Sequence, residues 1–282
     1  MKKWVLSAVG YLVVVILGYT IYSFTASPES PEVQTKHGGH GEEVAGHDAH
    51  GSGEESEGHG EHGSHDENSE SGVDIDFIAD GTQISIQLKD KQGQPLNELD
   101  VNHEKLLHLI VVDEHLEQYY HLHPEKTGEG SFEMNKALGE GSYKAFVDIK
   151  PTNAGYHVEP IEFTVGEAES EHGHNSLKPD TVFNKTVEGI ETNLEVSSFK
   201  AGEDITLTFS FKDNVELQPY LGAMGHVVIL DETAANFIHV HPVSDSETKF
   251  QTNFQEPGIY KLWAEFQIDE KVHTYPFVIE IK

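Results

Sequence analysis

The chain has 282 residues, with 49 acidic and 18 basic side chains, 19 histidines and no cysteine, and its formal net charge is −31. This charge argues against binding to nucleic acid or to an anionic membrane surface. The absence of cysteine excludes disulfides, thiolate-ligated zinc and iron–sulfur sites, a thiol nucleophile and a blue-copper centre. At roughly 100–200 residues per domain, the length allows two domains and additional tails.

The N-terminal segment is apolar. An uncharged run from Trp4 to Phe24 follows Lys2 and Lys3. This run has about the ~20 residues that a membrane-spanning helix needs, and it exceeds the ~7–15 residues of a signal-peptide core. The two lysines predict a cytoplasmic N-terminus by the positive-inside rule. Residues 1–26 are therefore predicted to be a transmembrane signal anchor of a single-pass protein of the cell membrane, with its C-terminal domains extracytoplasmic. A cleaved signal peptide is the alternative.

The next segment, residues 27–72, is dominated by Gly, Glu, Ser and His, so it is predicted to be a disordered tether. Histidines recur in it, mostly in pairs three residues apart: His37, His40, His47, His50, His59, His62 and His65. Neutral imidazoles among carboxylates bind Zn(II), Cu(II) or Ni(II) loosely. A metal-collecting tether is predicted, and a solvated linker without that role is the alternative.

One pattern occurs twice at a constant offset of 118 residues. Each copy contains an anchoring histidine, an aspartate and a His-x-His-Pro: His108, Asp113, His121 and His123 in the first copy, and His226, Asp231, His239 and His241 in the second. Two short apolar runs flank a polar connection in each copy, which is typical of an antiparallel hairpin. The constant offset indicates an internal duplication.

The hairpins predict metal sites. Side chains alternate across a strand, so the two histidines of each His-x-His share one face. If Val112 pairs with Tyr119, the first histidine of the copy lies opposite the last, and the same follows in the second copy if Leu230 pairs with Phe237. The predicted three-histidine sites are His108, His121 and His123, and His226, His239 and His241. The alternative is that backbone hydrogen bonds satisfy some of these rings.

The copies also differ. An extra segment in the first copy, Val101–Lys105, is predicted to bring His103 towards His108 as a further ligand. In the second copy Met224 precedes His226 by two residues, and its thioether would let the site hold Cu(I) as well as Cu(II). Filling a gap in the core is the alternative role of this methionine.

Strand patterns predict the fold of the first unit, residues 73–165. The predicted strands are Val73–Ile78, Gln83–Lys89, Leu106–Val112, Gln118–His123, Ser131–Asn135, Tyr143–Ile149 and Pro160–Val165. Seven short strands without a helical period are typical of an immunoglobulin-like β-sandwich.

A linker at 166–180 and a second sandwich at 181–282 follow, and the linker is expected to let the sandwiches move relative to each other. The predicted fold class is therefore all-β: two tandem immunoglobulin-like sandwiches after an N-terminal transmembrane helix and a disordered His-rich tail. A fourth recurring histidine, His157 in the first unit and His273 in the second, is expected to form hydrogen bonds in the core, with metal ligation as the alternative.

The sequence resembles the YtkA-like family of small extracytoplasmic β-sandwiches, which is similar to FixH-type domains. The resemblance is carried by His226-V-V-I-L-D, F-I-His239-V-His241-P and Pro257-G-I-Y-K-L-W-A-E-F in the second copy, and by Asn102-His103-E-K-L-L-His108 in the first. It implies an association with metal, chiefly copper, handling at the cell surface, and it implies no defined activity.

Two functions are predicted from these features. The first is a membrane-anchored metal buffer or chaperone that binds copper, or else zinc, since copper leads the affinity order for nitrogen ligands and three imidazoles make an open zinc site. The second is a non-catalytic immunoglobulin-like scaffold for a membrane transporter or an assembly factor. An enzyme is not predicted, because the sequence has no nucleophile motif, phosphate-binding loop or metallohydrolase signature.

Overall fold

The fold is all-β. The structure, a computed structural model, describes residues 71–167 and 177–282, and every regular element in these ranges is a strand. Within the same ranges, no helix is long and apolar enough to cross a membrane. The predicted anchor, the His-rich tether up to residue 70 and residues 168–176 of the predicted linker lie outside the described residues.

Eighteen strands are described, nine in each repeat. The first repeat contains β1 (Val73–Ala79), β2 (Gln83–Asp90), β3 (Leu99–Asp100), β4 (Leu107–Asp113), β5 (Tyr119–Leu122), β6 (Glu125–Gly128), β7 (Ser131–Asn135), β8 (Gly141–Pro151) and β9 (Pro160–Val165). The second contains β10 (Asn184–Val187), β11 (Ile190–Val196), β12 (Asp204–Phe211), β13 (Leu217–Gln218), β14 (His226–Asp231), β15 (Phe237–Pro242), β16 (Lys249–Asn253), β17 (Gly258–Ile268) and β18 (Lys271–Ile281). All seven strands predicted for the first unit are confirmed, and the short strands β3 and β6 were not predicted.

The first repeat is a sandwich of two antiparallel sheets. One sheet has the order β1-β2-β7-β6, and the other has the order β3-β8-β4-β5, with β9 also paired to β8. Apolar side chains from both sheets, such as Ile86, Leu109 and Val147, meet in one buried cluster. Burial of this apolar surface is the main force that holds the two sheets together.

In the second repeat one strand joins the two sheets. Strand β15 pairs with β14 and, at His241 and Pro242, also with β16. The corresponding strand of the first repeat, β5, ends at Leu122, and a separate strand begins at Glu125. The core of the second repeat again contains side chains from both sheets, including Phe209 and Leu262.

Each repeat contains a tyrosine that fastens the start of a long strand to the preceding turn. The hydroxyl of Tyr143 donates to the carbonyl oxygen of Gly139 at 3.1 Å. The hydroxyl of Tyr260 donates to the carbonyl oxygen of Glu256 at 2.8 Å. This arrangement corresponds to the tyrosine corner of immunoglobulin-like sandwiches.

Strand β4 is buried on both of its faces, which explains why alternation alone does not identify its core side. Leu109 and Val111 belong to the core of the first sandwich. Ile110 and Val112 point the other way, into a cluster that also contains residues of the second repeat. A strand buried on both faces has a continuous apolar sequence.

The two repeats pack against each other through this shared cluster. No residue in it is more than 4 % exposed: Ile110, Val112, Leu116 and Phe146 from the first repeat, and Val228, Leu230, Ala234 and Trp263 from the second. Both repeats belong to one compact unit, Ser64–Lys282. The structure therefore differs from the prediction of two sandwiches that move relative to each other, because each contributes an apolar sheet face that the other buries.

Contacts across this interface are reciprocal. The Lys144 amine donates to the carbonyl oxygen of Thr233 at 2.9 Å, and the Lys261 amine donates to the carbonyl oxygen of Leu116 at 2.6 Å. Each lysine therefore lies over the hairpin loop of the other repeat. The interface has the character of a pseudo-two-fold axis between duplicated halves.

The aromatic contacts across the interface are reciprocal in the same way. The rings of Tyr119 and Trp263 are stacked with their centroids 4.7 Å apart, and those of Phe146 and Phe237 are stacked at 5.5 Å. Tyr119 and Phe237 hold the same position in their hairpins, and Phe146 and Trp263 hold the same position in β8 and β17. Stacked rings of this kind add to the stability gained from burial alone.

Candidate metal centre

The predicted register of both hairpins is confirmed. Val112 pairs with Tyr119 in the first hairpin, and Leu230 pairs with Phe237 in the second. A shift of one residue would turn every following side chain to the opposite face. The register is therefore the feature that turns His108, His121 and His123 towards the same side.

An aspartate fixes each hairpin loop. The Asp113 carboxylate accepts a hydrogen bond from the backbone N–H of Gln118 at 2.8 Å. The Asp231 carboxylate accepts from the backbone N–H of Ala235 at 2.8 Å and from the side-chain amide of Asn236 at 2.6 Å. Aspartate is common in turns because its short side chain can bond to nearby backbone groups.

Three histidines of the first repeat come together as predicted. One ring nitrogen from each of His108, His121 and His123 lies within 4.8 Å of the other two. His108 Nδ1 is 2.9 Å from His121 Nε2, and the rings of His121 and His123 have their centroids 4.7 Å apart. His108 is only 2 % exposed, so the group is partly shielded from water.

Two of these rings have a hydrogen-bond acceptor next to the nitrogen that points away from the group. His108 Nε2 lies 2.9 Å from the carbonyl oxygen of Asn102. His121 Nδ1 lies 2.6 Å from Oε2 of Glu265, which belongs to the second repeat and is 4 % exposed. Histidines that bind metal ions usually donate their remaining N–H to a carboxylate or a backbone carbonyl in this manner.

A chain of three close contacts runs from Asn102 through His108 and His121 to Glu265. At its two ends a backbone carbonyl and a carboxyl group can accept the N–H groups of the two rings. With both N–H groups directed outward, His108 Nδ1 and His121 Nε2 would each turn a lone pair towards the other ring, which is the arrangement that a metal ion requires.

His123 adds a third nitrogen with the properties of a ligand. Its Nε2 is buried, and no described residue forms a hydrogen bond with it. Burial, followed by the neighbouring His121, His108 and Lys105, lowers the pKa of His123 to about 3. The ring is therefore neutral near pH 7, which is the form that binds metal ions.

His226 of the second repeat lies at the edge of the same group. It is buried, and its ring centroid is 6.1 Å from that of His121, 6.4 Å from that of His108 and 4.9 Å from that of His103. The sequence predicts a separate site for each sandwich, whereas the structure places imidazoles of both repeats at one interface.

His103 occupies a tight turn rather than an extra segment. Asn102 and Lys105 form both backbone hydrogen bonds of this turn, and His103 has a left-handed φ of 45°. The second repeat forms the same turn between Tyr220 and Ala223, with Leu221 in the place of His103. The predicted extra segment is therefore wrong, because both repeats contain this turn and differ only in its side chains.

Of the three other predicted ligands, Met224 lies elsewhere, and His239 and His241 stay predictions. The backbone places His239 opposite Val228 and His241 opposite Gln251, and their side chains lie outside the described part of the structure. Met224 lines a groove with residues that include Leu217, and none of the described residues lining that groove is a histidine.

The fourth recurring histidine pair also lies outside the three-histidine group. His273 is buried in β18, and its Nδ1 is 3.5 Å from Oε2 of Glu188. His157 is half-buried beyond the end of β8.

Sequence reasoning missed the buried carboxylates. Glu265 lies opposite His226 in the β14–β17 pair, and Asp148 lies opposite His108 in the β4–β8 pair. A signal was present, since each acid lies five residues after the tyrosine of an aligned Tyr-Lys pair, in a largely apolar strand. Burial raises the pKa of Tyr119 well above its usual value, and the charge of Glu265 adds to this rise.

A family model matches residues 65–168 and again residues 185–282. The chain belongs to the family described as Domain of unknown function (DUF8832). The two matched segments confirm the internal repeat, and the family description states no activity. The resemblance to the YtkA-like family stays a prediction, since the matching model is a different one. A comparison with curated proteins finds no match.

Solved structures give weak similarities. The Escherichia coli adhesin FdeC is 12 % identical over 76 % of this chain and 65 % of its own, with a TM-score of 0.24. A segment of two fibronectin type-III domains from chicken tenascin is 10 % identical over 75 % of this chain and 99 % of its own, also with a TM-score of 0.24. The chain spans less than two thirds of the FdeC chain, and similarities at this level carry no conclusion about function.

Proposed function

We propose that this protein is a membrane-anchored, extracytoplasmic metal-binding protein that buffers or delivers copper, or else zinc. The proposed ligands are His108, His121 and His123. The observation that carries the proposal is the convergence of one ring nitrogen from each of these three histidines to within 4.8 Å, with two of the rings backed by the carbonyl of Asn102 and the carboxyl group of Glu265.

The geometry needs little change to accept an ion. Two nitrogens bound at about 2.0–2.1 Å to a tetrahedral ion lie roughly 3.3 Å apart. His108 Nδ1 and His121 Nε2 are 2.9 Å apart, so a small separation of the rings makes room. The contacts behind the rings keep the lone pairs pointing inward, and His123 supplies a third nitrogen.

The ligand set favours copper and then zinc. The group offers imidazole nitrogens, and the chain contains no cysteine. Copper leads the affinity order of divalent metals for such ligands, and a three-histidine zinc site with an open position is also well known. In this proposal the tail histidines bind the ion loosely and transfer it to the three-histidine centre. The sandwiches that hold this centre rigid are immunoglobulin-like, an assignment supported by the tyrosine corners.

Metal titration tests this function. The full chain, with the seven histidines between residues 37 and 65 replaced by serine, is titrated with Cu(II) and with Zn(II) against a chromophoric chelator. We expect His121→Ala to weaken the tightest binding more than about 100-fold, since the loss of a direct ligand exceeds the 10–100-fold cost of a lost outer contact.

The matched control is His115→Ala, which removes a histidine of the same hairpin loop that contacts Glu114 outside the group. This variant should bind as the parent chain does. Equal affinities for the parent and His121→Ala would reject the proposed function.

A further inference from the structure

We infer that the three-histidine centre binds divalent ions in preference to Cu⁺, and that the buried negative charge of Glu265 determines this preference. The inference rests on the proposed function and narrows it, because it assigns the oxidation state of the copper that the centre holds. Glu265 contacts the ring of His121 and none of the nitrogens that face the ion, so it is a positioning residue that acts through this ligand.

Glu265 is buried where the two repeats meet. It lies on β17 and is 4 % exposed. Its Oε2 is 2.6 Å from Nδ1 of His121, and the hydroxyl of Thr274 donates to its Oε1 at 3.5 Å. Thr274 is the partner of Glu265 in the β17–β18 pair, so the second repeat fixes the position of the carboxyl group.

No lysine neutralises this carboxyl group in the part of the chain that the structure describes. The ion pair that the described residues form with Glu265 is the one with His121. A buried carboxylate is costly unless a positive charge or hydrogen bonds compensate it. A cation bound to His121 therefore supplies the compensation that no described lysine gives.

The pair of His121 and Glu265 keeps one negative charge when an ion is bound. An ion at Nε2 of His121 leaves one position on the ring for a proton, at Nδ1. This proton lies between Nδ1 and Oε2 of Glu265, and the pair carries one negative charge whichever of the two atoms holds it. The ion and this charge are then separated by a single imidazole ring.

A fixed negative charge distinguishes ions by their own charge. The attraction is proportional to the charge of the ion, and it is stronger inside a protein than in water because the effective dielectric constant is lower. Cu²⁺ and Zn²⁺ therefore gain about twice as much from Glu265 as Cu⁺ does. An exposed acid would have little effect of this kind, since water and salt screen it.

The donor atoms favour the same ions. Sulfur ligands select Cu(I), whereas imidazole suits Cu(II) and zinc. The chain contains no cysteine. Of the methionines in the described ranges, Met224 lines a groove whose described residues include no histidine, and Met134 packs against the core of the first sandwich. The three-histidine group therefore offers nitrogen to the ion and no sulfur.

The experiment measures the affinities for Cu²⁺, Zn²⁺ and Cu⁺ separately. It uses the full chain with serine in place of the seven tail histidines, and each ion is titrated against a chromophoric chelator, Cu⁺ with ascorbate and without oxygen. Glu265→Gln retains the acceptor oxygen and removes the charge. We expect it to weaken Cu²⁺ and Zn²⁺ binding by about 100-fold and Cu⁺ binding by about 10-fold. The reduction potential of the bound copper should therefore rise by about 59 mV.

Two control variants separate charge from packing. Glu162→Gln neutralises an acid on β9 whose side chain is 78 % exposed, and it should change neither the affinities nor the potential. Glu265→Asp retains the charge on a shorter side chain. Its affinities for the three ions should fall together, if they fall, and the potential should stay at the parental value.

The outcomes distinguish the inference from the proposed function. Equal weakening of Cu²⁺ and Cu⁺ in Glu265→Gln, or no change in either, overturns the inference and leaves the metal-binding function intact. A measurement on the parent chain alone is also decisive: a potential above that of the aqueous Cu²⁺/Cu⁺ couple shows a preference for Cu⁺ and overturns the inference. Unchanged binding of all three ions in His121→Ala rejects the proposed function itself.

Discussion

At the level of single residues, the site depends on how each imidazole is oriented. His121 contacts His108 through Nε2 and Glu265 through Nδ1. This ring therefore connects the candidate ligands to the second repeat, and its tautomer is set by the carboxylate behind it. A metal ion bound by these histidines would therefore also strengthen the contact between His121 and Glu265, which joins the two repeats.

The metal-free protein should lose stability in acid because of His123. Its folded-state pKa of about 3 lies below the value of about 6.5 expected in the unfolded chain, so the unfolded chain binds more protons between these values. The contribution to stability is complete above pH 6.5 and is lost as the pH falls towards 3. After allowance for partial exposure, we expect this residue to account for about 1 kcal/mol of the loss between pH 7 and pH 5.

Urea denaturation in the presence of a chelator measures this effect. The free energy of unfolding of His123→Gln should depend less steeply on pH than that of the parent chain. Identical slopes for the parent and His123→Gln would contradict the assignment.

The turn residue His103 offers a second residue-level prediction. His103→Leu introduces the side chain that the mate turn already carries at Leu221, where φ is 53°, so the turn should persist. We expect the free energy of unfolding to change by no more than about 0.5 kcal/mol. Urea denaturation of the parent chain and of the variant measures this change. A loss of more than about 1 kcal/mol in His103→Leu would show that the turn depends on the histidine.

At the level of elements, the hairpins were predictable and their surroundings were not. The constant offset of 118 residues and the aspartate before each loop predict the register that places His108 with His123 on one face. The sequence gives no comparable signal for the contact between His121 and Glu265, which lie 144 residues apart. That contact depends on which face of β4 packs on the other repeat, and alternation leaves the choice open when both faces are apolar.

The hairpin loops predict a measurable loss of stability. Asp231→Ala removes the hydrogen bonds to the backbone of Ala235 and to the side chain of Asn236. We expect the free energy of unfolding to fall by about 1–2 kcal/mol, as measured by urea denaturation. The neighbouring exposed Glu232→Ala should change it by less than about 0.5 kcal/mol. Similar losses in the two variants would show that the loop is not fixed by Asp231.

At the level of the whole molecule, the shared cluster makes the two repeats depend on each other. Trp263 is 3 % exposed and lies in this cluster with residues of both repeats. The described repeats should therefore unfold in a single transition, with the two halves losing structure together. Two separate transitions in the parent chain would contradict this expectation.

Trp263→Ala tests the contribution of the interface. We expect the free energy of unfolding to fall by about 3–5 kcal/mol, as for other large-to-small changes of buried aromatic residues. Because the loss lies between the repeats, the transition should also separate into two. Phe209→Ala, in the core of the second repeat, should destabilise that repeat by a similar amount and provides the comparison.

The pseudo-two-fold interface has a consequence for how the halves can diverge. In a symmetric dimer every change appears on both sides of the axis. Here both halves belong to one polypeptide, so a histidine at position 103 can correspond to a leucine at position 221, and an aspartate at 148 to a glutamate at 265. Covalent fusion therefore allows the residues on one side of the interface to change while those on the other side stay the same.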